Sequence, residues 1–456
     1  MRAWPGIGIL IWFCCRSAAA QVAQPAEAAP EVHFQAESRQ VLVPVIVTDK
    51  KGHHVTGLKA ADFQVLEDGV PQEISGFHTE AAGSVAAIES LADAGSRSDA
   101  GAALPAAPSA KGSAPPQRTY VICFDTLHSS FANFGHVREA LEQLFKQDQS
   151  GGGAQYVLIA LGRQLRVIQT ATQDSAVLLS KMRANTFLSA LSGADAQELA
   201  IEVNDVRVRM ETFCRSCPCG PSAKSMACYP ERQALRQEIE ARSERSGQLT
   251  RGFLESLGSV IGELAKVPSS RTLILVSDGF SLLPGSEFFG VVGAYLPNYS
   301  EFKFSPNQQM EPLLQKALSA AVEKNVTIYS IDSRGVYSPS FAAGNASDAS
   351  NSGVGSSAAR NRGGSFLTEL DRRASSVAFQ NGSGMAQLAA ATGGVYFHDT
   401  NDVLKGFRAA IADGREYYVV TYVPRNSAAD GKFRRITVEP RDARLSVRAK
   451  EGYWAN

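Results

Sequence analysis

The sequence predicts an α/β protein with a doubly wound, mostly parallel sheet, framed by β segments at both ends. Three observations carry this. Apolar runs of strand length alternate with helical periodicity through the middle of the chain. Two of those runs, VICFDTLHSS at 121–130 and TLILVSDGF at 272–280, stop on an aspartate followed by small hydroxyl or glycine residues. The stretches before and after this region alternate apolar and polar residues with turn signals between them.

In order, residues 1–20 read as a secretory signal peptide: Arg2, an apolar GIGILIWFCC at 6–15, and Ala18-Ala19-Ala20 before Gln21. The apolar stretch is too short to span a membrane, and no second stretch approaches a span. An Ala/Pro-rich leader follows at 21–31. Residues 32–80 read as β strands (EVHFQA, VLVPVIVTDK, DFQVLEDGVPQEISGFHTE), with turns at Asp49-Lys50-Lys51-Gly52 and Glu67-Asp68-Gly69. Residues 81–117, rich in Ala, Ser, Gly and Pro, read as a linker.

The α/β region is expected over 118–414. Its strands are placed at 119–125, 155–161 with 165–169 as a hairpin-like pair, 272–277, 326–331 and 394–397. Helices are placed at 130–147, 174–183, 231–265, 309–323, 384–391 and 401–413, with an aromatic-rich loop at 280–305. Two insertions interrupt it: a cysteine-rich segment at 211–230 and a polar tract at 338–382 expected to be disordered. Residues 415–456 return to three β strands. Neither β segment could bury an apolar face alone, so both are expected in one immunoglobulin-like sandwich of roughly seven strands.

Lys+Arg and Asp+Glu balance at 45 each, which gives no electrostatic case for nucleic acid. Cys214, Cys217, Cys219 and Cys228 crowd into one short span. In an exported chain two disulfides are favoured over zinc, with Cys214 or Cys217 reaching Cys219 or Cys228. Cys123, within a strand, reads as a buried thiol.

In an open α/β sheet ligands bind beyond the carboxyl ends of the strands, so Asp125 and Asp278 converge on one crevice, with Ser129 and Ser277 as neutral oxygen donors. Oxygen ligands with one or two carboxylates suit Mg²⁺ or Mn²⁺. The bland alternative is that each aspartate caps the next helix. His128, three residues after Asp125, reads as a loop histidine or an outer contact of a metal. No G-x-S-x-G, H-E-x-x-H, Walker A or strand-linked G-x-G-x-x-G motif occurs, so hydrolase, zincin, NTPase and dinucleotide readings lack support.

Asp125-Thr126-Leu127-His128-Ser129 and Ser277-Asp278-Gly279 resemble the metal-ion-dependent adhesion site of von Willebrand factor type A (VWA) domains. Leu127 stands where that motif has its first serine. The motif's threonine is matched by position to Thr186, while Thr172 reads as a helix N-cap in TATQDSAVLL. The wider arrangement resembles the exported bacterial VWFA-related group, first noted in acidobacteria. V-T-D-K-K-G at 47–52, F-Q-V-L-E-D-G-V-P-Q at 63–72, T-G-G-V-Y-F at 392–397, Y-Y-V-V-T-Y-V-P at 417–424 and R-A-K-E-G-Y at 448–453 carry this likeness. The resemblance implies a Rossmann-like sheet and a metal site formed by Asp125, Ser129, Asp278 and Thr186. It further implies a non-enzymatic adhesion or scaffold module that binds an unknown protein ligand, in the periplasm or secreted. The alternatives are a metal-independent structural or regulatory module and, behind it, an exported hydrolase.

Overall fold

The computed structural model describes residues 40–78, 118–147, 154–191, 194–220, 228–267, 270–297, 299, 302, 310–336 and 381–455. The signal peptide, the leader, the strand EVHFQA, the linker and nearly all of the 338–382 tract lie outside the described residues.

Strand β1 (Val41–Thr48) is followed by β2 (Phe63–Glu67), β3 (Val70–Gln72) and β4 (Ile74–His78). The α/β region then runs β5 (Arg118–Asp125), α1 (Phe134–Gln147), β6 (Ala154–Leu161), β7 (Leu165–Thr172), α2 (Ser175–Arg183), α3 (Asn185–Leu191), α4 (Ala194–Ser216) and α5 (Tyr229–Leu264). It continues through β8 (Ser270–Ser277), α6 (Ser286–Tyr295), α7 (Glu311–Glu323), β9 (Val326–Asp332), α8 (residues 381–392), β10 (Tyr396–Phe397) and α9 (Val403–Arg415). Strands β11 (Tyr418–Tyr422), β12 (Phe433–Pro440), β13 (Ser446–Ala449) and β14 (Gly452–Trp454) end the chain.

Six strands form the central sheet in the order β10-β9-β8-β5-β6-β7, parallel except for the β6–β7 hairpin. Side chains alternate across each strand. Val121 and Cys123 therefore face a core with Phe253, Leu257 and Ile261 of α5, Leu314 of α7 and Leu388 of α8. Tyr120, Ile122 and Phe124 face the other, with Leu141 of α1, Met182 of α2, Phe187 of α3 and Phe407 of α9. Cys123 is a free, buried thiol, as expected, and burial raises its pKa.

The outer β strands form two four-stranded antiparallel sheets, β13-β1-β11-β4 and β14-β12-β2-β3. Each sheet mixes strands from both chain segments: β1 pairs with β11 and β13, and β2 with β12. The inward residues Val43, Val45, Val65, Val420 and Ile436 share one core. Among the described residues there are eight strands where roughly seven were expected: EVHFQA is not among them, but GVPQEISGFH forms two strands and so does ARLSVRAKEGYW. The chain breaks at Lys450 and Glu451, so β13 joins β1 and β14 joins β12.

Other elements differ from the sequence reading. Residues 286–295 of the presumed aromatic loop form α6; SEFFGVVGAY buries Phe288, Phe289, Val291 and Val292 and therefore lacks an amphipathic stripe. Helix α4, left unassigned by the sequence, packs against α5 and α6 around Val206, Met210, Phe213, Leu235, Ile239 and Phe288. Helix α2 is capped by Asp174, which accepts the N–H groups of Ala176 (2.7 Å) and Val177 (3.4 Å); Thr172 instead accepts the Asp174 N–H at 3.1 Å.

Candidate functional site

The strand order reverses direction at β5. The chain moves from β5 outward through β6 and β7, then returns to β5's other side with β8 and continues to β9 and β10. The switch point therefore lies between β5 and β8, where an open sheet leaves a crevice. Register places Phe124 beside Val276 and Ser277 beside Asp332, so Asp125, Ser277 and Asp332 end neighbouring strands at one level. Asp278 follows one residue above. Gly279 has φ +94, and a Cβ there would lie 2.7 Å from the Asn381 carbonyl oxygen, which explains the glycine of S-D-G.

Asp125 is fully buried. Its Oδ1 accepts the backbone N–H groups of Leu127 (3.0 Å) and His128 (3.1 Å), and its Oδ2 accepts the Ser277 hydroxyl at 2.7 Å. The His128 ring lies against the same carboxylate, Nδ1 being 3.1 Å from Oδ1 and 3.0 Å from Oδ2. Its Nε2 is 3.1 Å from the Thr250 hydroxyl on α5. Phe253 meets the imidazole edge-on at 5.1 Å, and Phe280 lies 6.1 Å away. His128 is thus a sealed bridge between the β5 loop and α5, with its side chain 8 % exposed.

Asp278 is held as closely. Its Oδ2 accepts the Ser130 N–H (2.8 Å) and the Asn133 amide (2.8 Å), and its Oδ1 accepts the Ser333 hydroxyl (2.5 Å). Its own N–H donates to Ser129 Oγ at 2.9 Å. Burial raises the Asp278 pKa; hydrogen bonds from Ser333, Ser130 and Asn133 and the nearby Arg334 charge pull it back. Arg334 is turned mainly to Asp332, with Nη2–Oδ2 2.6 Å and Nε–Oδ1 2.9 Å.

The structure therefore brings Asp125, Ser129, Ser277 and Asp278 together. Leu127 is 2 % exposed and belongs to the core beneath the crevice. Thr172 lies opposite Tyr156, towards the amino ends of the parallel strands and away from the site. Thr186 is the second residue of α3, and its neighbour Phe187 packs edge-on against Phe124 at 5.6 Å; the Thr186 side chain lies outside the described residues. Asp332, Ser333, Asn133 and Thr250 join the site without having been singled out. The I-D-S at 331–333 repeats the signal of an apolar run stopping on an acid, so the first two were findable.

Asp125, His128 and Thr250 connect in the order of a nucleophilic triad. Thr250, however, is 2 % exposed in the middle of a helix, where a substrate carbonyl has no approach to its hydroxyl. The arrangement works as a strut.

Above the crevice, α5 continues. At 1.5 Å per residue its 36 residues span about 54 Å, and only its second half lies on the sheet. The first half, with α4 and α6, forms an arm with its own core. Two disulfides close its tip, Cys214–Cys219 and Cys217–Cys228, a pairing within the set expected from sequence. Ser243, Ser246 and Thr250 lie at helical spacing where the arm meets the sheet and bond to Pro284, Glu287 and His128, respectively.

Among the described residues no helix is long and apolar enough to cross a membrane. No protein-family model matches the chain. No curated protein matches it either. Among solved structures it is similar to an aerotolerance-related membrane protein from Bacteroides fragilis, with TM-score 0.29 and 9 % identity, over 65 % of this chain and 98 % of that one. It is also similar to the PilB minor pilin from Streptococcus sanguinis, with TM-score 0.27 and 10 % identity, over 67 % of this chain and 63 % of that one. A third similarity is to the pilus adhesin SpaC from Lactobacillus rhamnosus GG, with TM-score 0.32 and 7 % identity, over 89 % of this chain and 49 % of that one.

Proposed function

We propose that this chain is an exported, non-enzymatic protein-binding module, an adhesion or scaffold element of VWA type, whose partner docks over the crevice between β5 and β8. One observation carries the reading. The loops leaving β5, β8 and β9 meet at the switch point around Asp278, and each presents an exposed apolar side chain: Phe131 (43 % exposed), Leu283 (36 %) and Val336 (64 %). Apolar side chains rimming a polar centre suit recognition of a protein surface. The D-x-x-x-S and S-D-G elements and the strand order support the VWA assignment. Two intramolecular disulfides support an oxidising compartment, periplasmic or extracellular.

The test is site-specific photo-cross-linking in the native cell envelope. A cross-linker at Phe131 or Val336 should trap a discrete partner, one at Val70 on the distant edge strand β3 should not, and Phe131→Asp should abolish the adduct while leaving the melt unchanged. Equal capture from Val70, or no adduct at either rim position, would move the binding surface elsewhere. This reading needs no metal, because each carboxylate oxygen of Asp125 and Asp278 already accepts an internal hydrogen bond.

A further inference from the structure

We infer that this crevice is closed by the chain's own hydrogen-bond donors and takes no divalent cation, with the His128 imidazole occupying the place at Asp125 that a cation and its waters would need. The inference deepens the reading of the crevice as the functional site, but it does not depend on any partner being found.

A carboxylate offers about four acceptor positions. Those of Asp125 face four donors: two backbone N–H groups, the Ser277 hydroxyl and the Nδ1 edge of His128. Asp278 faces three: the Ser130 N–H, the Asn133 amide and the Ser333 hydroxyl. Ser129 Oγ accepts the Asp278 N–H, and Ser277 Oγ accepts the Gly279 N–H at 2.9 Å while donating to Asp125. Each carboxylate or hydroxyl oxygen of Asp125, Asp278, Ser129 and Ser277 is thus already held by an internal donor. Of the motif's other two positions, Leu127 is a hydrocarbon in the core, and the Thr186 side chain lies outside the described residues.

Admitting Mg²⁺ would need near-octahedral oxygen geometry at this point. Several N–H and O–H groups would first have to leave their acceptors, and those at fully buried Asp125 would then lack a partner. His128 is the hardest to displace, because it is fixed from three sides. Asp125 holds Nδ1, Thr250 holds Nε2, and Phe253 and Phe280 flank the ring.

Mn²⁺ is the probe, read by electron paramagnetic resonance and calorimetry on the oxidised full chain. The unaltered protein should show no saturable Mn²⁺ site at millimolar concentration. Its melting temperature should be the same in Mg²⁺, Mn²⁺ and chelator. The His128 Nδ1–H should appear as a slowly exchanging proton in NMR spectra and vanish in Asp125→Asn. The double variant Leu127→Ser/His128→Gly restores a hydroxyl and opens the space. It should gain at least a tenfold increase in Mn²⁺ affinity, lost again on adding Asp278→Ala. Saturable Mn²⁺ binding by the unaltered chain that disappears in Asp278→Ala would overturn the inference, as would a folded double variant that gains nothing. Should the double variant fail to fold, the measurements on the unaltered chain decide the matter. A partner that binds with or without cation leaves these readings unaffected.

Discussion

Thr250 and Glu287 show how single side chains set the crevice and the base of the arm beside it. Thr250 supplies the group facing His128 Nε2, and valine has nearly its shape without the hydroxyl. Thr250→Val should therefore leave a buried ring nitrogen unpaired and cost about 1–3 kcal/mol in urea unfolding, with the fold retained. Glu287, at the first turn of α6, accepts the Ser246 hydroxyl (3.3 Å) and the Gly285 N–H (3.2 Å) on Oε1, while its Oε2 is buried without a partner. Burial raises its pKa, opposed by hydrogen bonds from its own and Gly285's N–H and from Ser246 and by the His128 charge. Above the ordinary glutamate value the folded chain holds a proton that the unfolded chain has lost, so stability from this group falls as pH rises through the folded value. Unfolding midpoints measured from roughly pH 4 to 8 should thus decline for the native chain relative to Glu287→Gln, with the two converging at the acid end.

At the scale of elements, the arm of α4, α5 and α6 has two fixed ends. Its base is the seam of Ser243, Ser246 and Thr250; its tip is the pair of disulfides. Cys217–Cys228 joins the end of α4 to the start of α5 across 11 residues. Closing a loop of that order stabilises by about 2–4 kcal/mol, mainly by restricting the unfolded chain. The paired change Cys217→Ser/Cys228→Ser should therefore lower the protection of α4 and of the first half of α5 against hydrogen exchange. The central sheet should keep its protection, because its cores are formed by other residues. Equal loss across both regions would show that the arm is not a separate cooperative unit.

For the molecule as a whole, the sandwich and the α/β region meet at Asp413, which is 3 % exposed. It accepts from Tyr329 on β9 (2.6 Å) and Arg448 on β13 (2.7 Å), and it pairs with His54 Nε2 after β1 (2.7 Å). Nearby, Lys450 reaches Asn325 at 2.8 Å, and the Glu451 N–H bonds the Ala391 carbonyl at 3.1 Å. These bonds converge on residues far apart in the chain, so the two regions should unfold together. Asp413→Ala leaves the buried Tyr329 hydroxyl without its acceptor and a half-buried Arg448 without its carboxylate, and should cost about 1–3 kcal/mol. A single calorimetric transition should then widen or divide, since the apolar cores on either side are untouched. A transition that only shifts would mean that those cores alone couple the regions.

Local pattern determined the elements wherever one face of a strand or helix meets water or one core. Alternation marked β1 and β12, apolar runs stopping on acids marked β5 and β8, and paired cysteines marked the arm's staples. Helix α6 escaped because it is apolar on nearly every side, and β13 and β14 read as one strand because the exchange between sheets happens in the backbone at Lys450 and Glu451. Asp125, Ser129 and Asp278 were readable as neighbours because an open sheet brings the carboxyl ends of its strands together at the switch point. What they hold was decided only by tertiary structure. His128 is set against Asp125 by Thr250 from a helix 122 residues away, and Asp278 is bound by Ser333, 55 residues on. No local pattern encodes such pairings, since they depend on where α5 and β9 come to rest against the ends of β5 and β8.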